Sequence, residues 1–107
     1  MSHRGTSFGV VVEDRDDPTV LRLEGEFDMV SAPDLLAAAN DVLGRGEPNL
    51  VLDLSELSFL DSTGISTLLL LSRKAAALGG SVTLRSPSQR VQQVLRISGL
   101  TGYFAQD

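Results

Sequence analysis

The sequence predicts an α/β domain in which an N-terminal β-hairpin leads into parallel strand–helix units, a mixed sheet packed with helices. Two short strand patterns flank a turn rich in Asp and Pro, the mid-chain run Leu50-Val51-Leu52-Asp53-Leu54 is almost wholly apolar, and segments of helical periodicity alternate with the strands. The resulting order β-β-α-β-α-β-α implies a right-handed βα series with helices laid on the sheet. At 107 residues the chain is expected to form one domain over 1–107, with an ordered core at about 8–104.

Phe8 to Glu13 and Thr19 to Glu24 read as strands around Asp14-Arg15-Asp16-Asp17-Pro18, a composition that suits a turn. In the second of them Leu21 and Leu23 alternate with Arg22 and Glu24, the period of a sheet with one wet face. Ser31 is expected to cap the first helix, with Pro33 in the first turn and Ala32, Leu35, Leu36, Ala39, Val42 and Leu43 on one side. Gly44-Arg45-Gly46 ends it. The run Leu50 to Leu54 is expected to be a central strand covered on both faces. A loop from Ser55 to Asp61 then leads to a second helix, from about Ser62 to Leu78, stopped by Gly79-Gly80. Its expected core face is Ile65, Leu68, Leu69, Leu71, Ser72, Ala75 and Ala76. Val82 to Arg85 reads as a short strand. Ser86-Pro87-Ser88 starts a third helix to about Ser98, with Val91, Val94 and Leu95 buried, Gln89, Gln92, Gln93 and Arg96 outside, and Gly99 as its terminator. Leu100, Tyr103 and Phe104 are expected to pack back onto the domain.

The composition, 42% hydrophobic and 21% charged, is that of a globular chain. A net charge of −5 with scattered Lys and Arg argues against direct nucleic-acid binding and favours a basic surface on another protein. The chain has no cysteine, so neither disulfides nor thiolate chemistry are available. No signal-peptide core follows the first residues, and no run approaches the ~18 to 20 apolar residues of a membrane span. A cytoplasmic location, no membrane contact and no cofactor are the expectations.

The segment Leu57-Ser58-Phe59-Leu60-Asp61-Ser62-Thr63-Gly64-Ile65 places hydroxyls where a strand and loop run into a helix. Free backbone N–H groups and the helix dipole favour an anion at that end, so a hydroxyl such as that of Ser62 could carry a phosphoryl group. Asp61, with Asp28 and Asp53 if the fold brings them near, would make the modified spot strongly negative. The plainer role for Ser62 is a helix cap worth ~1 kcal/mol. Gly64 costs a helix ~1 kcal/mol relative to Ala, which points to close approach by another backbone or a ligand. At ~100° per residue, Leu70 falls opposite the core face, in one stripe with Ser62, Ser66 and Arg73. That stripe is a candidate partner surface.

Catalytic readings lack their parts. There is no G-x-S-x-G around Ser62, and the single histidine, His3, leaves no evident general base. Asp61-Ser62-Thr63-Gly64 has one residue too many for an aspartic-protease motif and no second copy. Asp53 stands where a response-regulator acceptor would, but no acidic pair accompanies it and the only lysine, Lys74, lies within a helix, so its expected role is structural. Metal-ligand spacing is lacking as well.

These residues resemble the STAS family, named for sulphate transporters and anti-sigma factor antagonists, and within it the small stand-alone bacterial antagonists. Phe59-Leu60-Asp61-Ser62-Thr63-Gly64-Ile65 is similar to the family's phosphoacceptor loop. Supporting matches are Gly25-Glu26-Phe27-Asp28, Leu50 to Leu54, and Ser86-Pro87-Ser88 through Gly99-Leu100. The resemblance implies a STAS-like single domain whose Ser62 is phosphorylated by an anti-sigma factor serine kinase with a histidine-kinase-like ATPase fold. The unphosphorylated form would bind that kinase and release a sigma factor, and a metal-dependent serine phosphatase would reset the switch. The protein would be a substrate and binding partner rather than an enzyme. Asp28 and Asp61 map onto the acidic positions that flank the acceptor, and Asp28, Asp61, Ser62, Thr63, Gly64, Ser66, Leu70 and Arg73 make up the expected partner surface. Other family members suggest the alternatives of a binding subunit of a transport ATPase complex or a stress-signalling scaffold; nucleotide binding at the same helix end is weaker still.

Overall fold

The computed structural model describes residues 8–14, 17–99 and 104–106. The strand patterns of the hairpin form β1 (Phe8–Asp14) and β2 (Thr19–Phe27), which pair antiparallel. Beyond them the chain alternates α1 (Ala32–Gly44), β3 (Asn49–Leu60), α2 (Ser62–Ala77), β4 (Ser81–Arg85), α3 (Gln89–Ile97) and a two-residue β5 (Ala105–Gln106). The sheet order is β1-β2-β3-β4-β5, with every pair after the hairpin parallel. Each parallel neighbour is reached through a helix, as a parallel connection requires. The short β5 is an addition to the expected order, and Phe104 just before it is buried as expected. His3, Leu100 and Tyr103 lie outside the described residues, as does part of the β1–β2 turn.

Expected and observed helices agree in extent but differ in how they are seated. The buried side chains of all three helices join one cluster with Leu21, Leu23, Leu50, Leu52, Leu54, Val82 and Leu84. By alternation Val20, Arg22, Val51, Asp53, Thr83 and Arg85 point to the other side of the sheet. The helices therefore lie on one face of the central strand, while on the other Val20 and Val51 are also buried, in keeping with a strand covered on both faces there. On the opposite face Arg22 is held between Glu24 at 2.9 Å and Glu13 at 2.7 Å, and the hydrogen bonds to Glu24 and then Glu13 raise its pKa above the ordinary value.

The largest departure is β3. Ser55 to Leu60, expected as loop, continues the strand, because the β2–β3 ladder shifts register between Arg22 and Glu24 and again between Gly25 and Glu26. Each shift inserts an extra residue on β3, so its core-cluster positions change from Leu50, Leu52 and Leu54 to Leu57 and Leu60, three apart. Gly25, between the shifts, has φ +91°, a conformation that a side chain would oppose. The bulges twist the strand end and bring Leu60 beside Phe27.

The core face of α2 is rotated from the expected one. Its buried residues are Gly64, Thr67, Leu68, Leu71 and Ala75; Ile65, Leu69 and Ser72 are half-buried, and Ala76 is exposed. Gly64 is the cause. A Cβ on it would lie 2.5 Å from Leu60 Cδ1, 2.9 Å from Phe27 Cδ2 and 3.0 Å from the Phe27 carbonyl oxygen. The close approach expected at Gly64 is thus made by the ends of β2 and β3, and it lets the first turn of α2 sit directly on them.

Candidate functional site

β2 and β3 end side by side. Phe27 is opposite Leu60, and the Asp61 N–H donates to the Phe27 carbonyl at 3.3 Å. The turn into α1 and the first turn of α2 therefore start at the same end of the sheet, the carboxyl end of a parallel pair where α/β folds place their sites.

Asp61, not Ser62, caps α2. Its backbone is extended (φ −106°, ψ −174°) and its Oδ1 accepts the Gly64 N–H at 2.8 Å. A carboxylate reaches this donor from the residue before the first helical one, and that geometry leaves Ser62 as the first residue of the helix. Ser62 is exposed, and its hydroxyl makes no hydrogen bond among the described residues. Further along the helix Ser66 Oγ donates to the Ser62 carbonyl at 3.0 Å and the buried Thr67 Oγ1 to the Thr63 carbonyl at 2.8 Å, while the adjacent Thr63 is set apart from Ser62 by being half-buried.

On the β2 side Ser31 holds the expected N-cap position without the expected side-chain bond. Its backbone there is near-helical, and its side chain caps nothing. Asp28 instead braces the turn before the helix: Oδ1 accepts from the Val30 N–H at 2.9 Å and from the Ser31 N–H at 3.1 Å. The buried Ser31 hydroxyl accepts from the Asp28 N–H at 2.9 Å and has the Glu26 carbonyl and Asp28 Oδ1 within 3.1 Å for its own proton. The result is a braced turn. It presents Met29 and Val30 to solvent, 69% and 60% exposed.

The expected stripe is exposed throughout, at Ser62, Ser66, Leu70 and Arg73. At ~1.5 Å per residue Leu70 lies ~12 Å and Arg73 ~16 Å along the helix from Ser62. Thr63 is half-buried. Gly64 is buried against Phe27 and Leu60, so its place in the expected partner surface is corrected to packing beneath it. Asp53 is not brought near: it is eight residues back along β3, ~26 Å at ~3.3 Å each, where its Oδ1 accepts the Ser55 N–H. The exposure of Met29 and Val30 is not among the sequence expectations; the available signal was an apolar pair inside a turn.

No group of three or more His, Cys, Asp or Glu among the described residues could hold a metal. A shallow groove of about 530 Å³ is lined by Asn40, Leu43, Gly44, Lys74, Ala77 and Leu78. It lies at the C-terminal ends of α1 and α2, the opposite end from Ser62. The Ser62 hydroxyl is exposed and is not part of this groove. No helix of the described residues is long and apolar enough to cross a membrane.

A mixed sheet with helices on one face and a serine exposed behind a capping aspartate is the arrangement expected of a STAS domain. The family model described as "Mlab, STAS domain" matches residues 10–105, and the chain belongs to the STAS family. Among its relatives is the anti-sigma-F factor antagonist RsfB of Mycobacterium tuberculosis, 35% identical over 86 residues, covering 74% of this chain and 70% of that protein. A crystal structure of an anti-sigma factor antagonist from Mycobacterium paratuberculosis superposes with a TM-score of 0.75 at 36% identity, covering 94% of this chain and 85% of the other. The anti-sigma factor antagonist SpoIIAA in its unphosphorylated form gives a TM-score of 0.76 at 27% identity, with coverage of 94% and 88%.

Proposed function

We propose that this protein is an anti-sigma factor antagonist whose unphosphorylated form binds an anti-sigma factor serine kinase and releases the sigma factor, and whose phosphorylation on Ser62 turns binding off. The observation that carries this reading is the exposed, unbonded Ser62 hydroxyl on the first residue of α2, directly after the capping Asp61. The antagonist names of the relatives support the partner class. In the transfer, the Ser62 oxygen bonds to the γ-phosphorus of ATP, the bond to the β–γ bridging oxygen breaks, ADP leaves and the serine proton passes to a base on the kinase. A metal-dependent serine phosphatase returns the hydroxyl.

The off-state follows from charge. A phosphoserine carries about −1.5 to −2 charges at neutral pH, and the N-terminus of α2 offsets part of that within its own domain, so the fold is retained. At the interface the acceptor faces the nucleotide phosphates from which it was modified. A dianion there, beside Asp61 and near Asp28, repels them. A penalty of ~3 kcal/mol lowers affinity about a hundredfold.

Purified anti-sigma factor kinases with Mg-ATP, followed by peptide mapping, test the acceptor; phosphate on Thr63 or elsewhere overturns the assignment. Calorimetry should show weak binding for the phosphoprotein, an intermediate loss for Ser62→Asp and retained binding for Ser62→Ala. Equal affinity of modified and unmodified forms would sink the switch. The description of the matching family model names no antagonist, which leaves a second reading: a binding subunit of a transport ATPase complex that docks through the same surface without phosphorylation. Binding to such an ATPase with Ser62 unmodified would favour it.

A further inference from the structure

We propose that Met29 and Val30 are the apolar anchor of this docking surface, and that the kinase meets them with an apolar depression rimmed by Lys or Arg. The inference rests on the reading of Ser62 just given and adds residues that the acceptor motif does not contain. Met29 and Val30 are 69% and 60% exposed in a turn where polar residues would be the ordinary choice. Their turn is not slack. Asp28 Oδ1 takes the N–H groups of Val30 and Ser31, and the Ala32 N–H donates to the Asp28 carbonyl at 2.9 Å. Side chains presented on a braced turn lose little freedom on binding, which is the condition for an anchor. Asp28 is then a positioning residue for this pair.

The surroundings specify the partner. Phe59, 40% exposed, is in register with Glu26 at the same sheet end, and the Asp61 N–H to Phe27 carbonyl bond joins the two strand ends from which the turn and α2 depart. Residues 23–44 and 54–73, which form this end of the sheet, α1 and most of α2, contribute Glu26, Asp28, Asp34, Glu56 and Asp61 against one cation, Arg73, ~16 Å along α2 from Ser62; Glu24 and Asp41 are paired with Arg22 and Arg45. An apolar pair within an acidic field is complemented by an apolar contact with a basic rim. On the Ser62 reading the nucleotide stands opposite the acceptor, and a basic rim around Met29 and Val30 is compatible with that.

The test uses the full chain and the purified anti-sigma factor kinase that phosphorylates Ser62, with calorimetry and thermal melts of each variant. Met29→Ser and Val30→Ser should each weaken binding about tenfold or more, a hot-spot effect, with melting temperatures unchanged. Ile97→Ser, 77% exposed at the end of α3, should bind as the parent does. Met29→Lys should weaken binding further at low salt, the excess shrinking as salt screens the basic rim. Parent affinity of both Ser variants while Ser62 is still phosphorylated overturns the anchor and spares the switch. Failure of every kinase to modify Ser62 overturns the underlying reading and the anchor with it. A dimer of the chain alone that Met29→Ser dissociates would assign the patch to a second copy and overturn the proposal, as would binding losses matched by lowered melting temperatures.

Discussion

Replacing Asp61 separates two roles of one carboxylate at the start of α2. Its Oδ1 accepts the Gly64 N–H at 2.8 Å, and its charge stands at the positive end of the helix. Asp61→Ala removes the acceptor at a cost of ~1 kcal/mol, within a range of about 0.5 to 2. Loss of the charge from the dipole adds about 0.3 to 1 kcal/mol. The two sum to about 1 to 3 kcal/mol, and at ~4 to 8 °C per kcal/mol for a domain near this size the melting temperature should fall by about 4 to 24 °C. Asp61→Asn keeps an oxygen in the same place and loses only the charge, so its cost should stay near 0.3 to 1 kcal/mol, at most about 1. Urea denaturation of the three proteins measures both differences. If the side chain also faces a basic partner, the Asn variant should bind the kinase more weakly despite its near-parent stability. Equal losses in the Ala and Asn variants, or no loss in either, would refute the cap.

Gly64→Ala sets an overpacking cost of about 1 to 3 kcal/mol against a helix-propensity gain of up to ~1. With Phe27 and Leu60 already at the limit of contact, the net should be destabilising, and a melt at or above the parent's would show that the strand ends yield freely. Leu70→Ala, at a side chain 39% exposed, should cost under ~1 kcal/mol and weaken partner binding. A loss of ~2 to 5 kcal/mol in a denaturant melt would place Leu70 in the core instead.

Local pattern determined much of this protein. The hairpin, the three helices and their terminators follow from periodicity and from turn and capping residues, which act within a few positions of one another. So does the prominence of Ser62, since a serine entering a helix is visible in any window that contains it, and the exposed stripe through Leu70 needs only the helical angle. Gly64 announced a close approach but not its maker.

What the tertiary structure decided concerns pairings between segments far apart in the chain. The spacing Leu54, Leu57, Leu60 breaks the two-residue period and reads as loop; it becomes a strand only because β2 lies alongside and two bulges reset which residues point inward. The seating of Gly64 on Phe27 turns α2 toward Thr67 and exposes Ala76, a rotation that the apolar pattern of the helix alone does not contain. Ser31 and Ser62 both looked like side-chain caps; Asp61 caps α2 in place of Ser62, and Asp28 takes the N–H groups of the turn before α1 while the Ser31 side chain caps nothing. A side chain's capping role depends on the backbone angles the fold imposes, and burial of Ser31 with exposure of Met29 and Val30 depends on which strand ends meet. Sequence determines which groups are available along the chain; register across the sheet determines which of them reach solvent together.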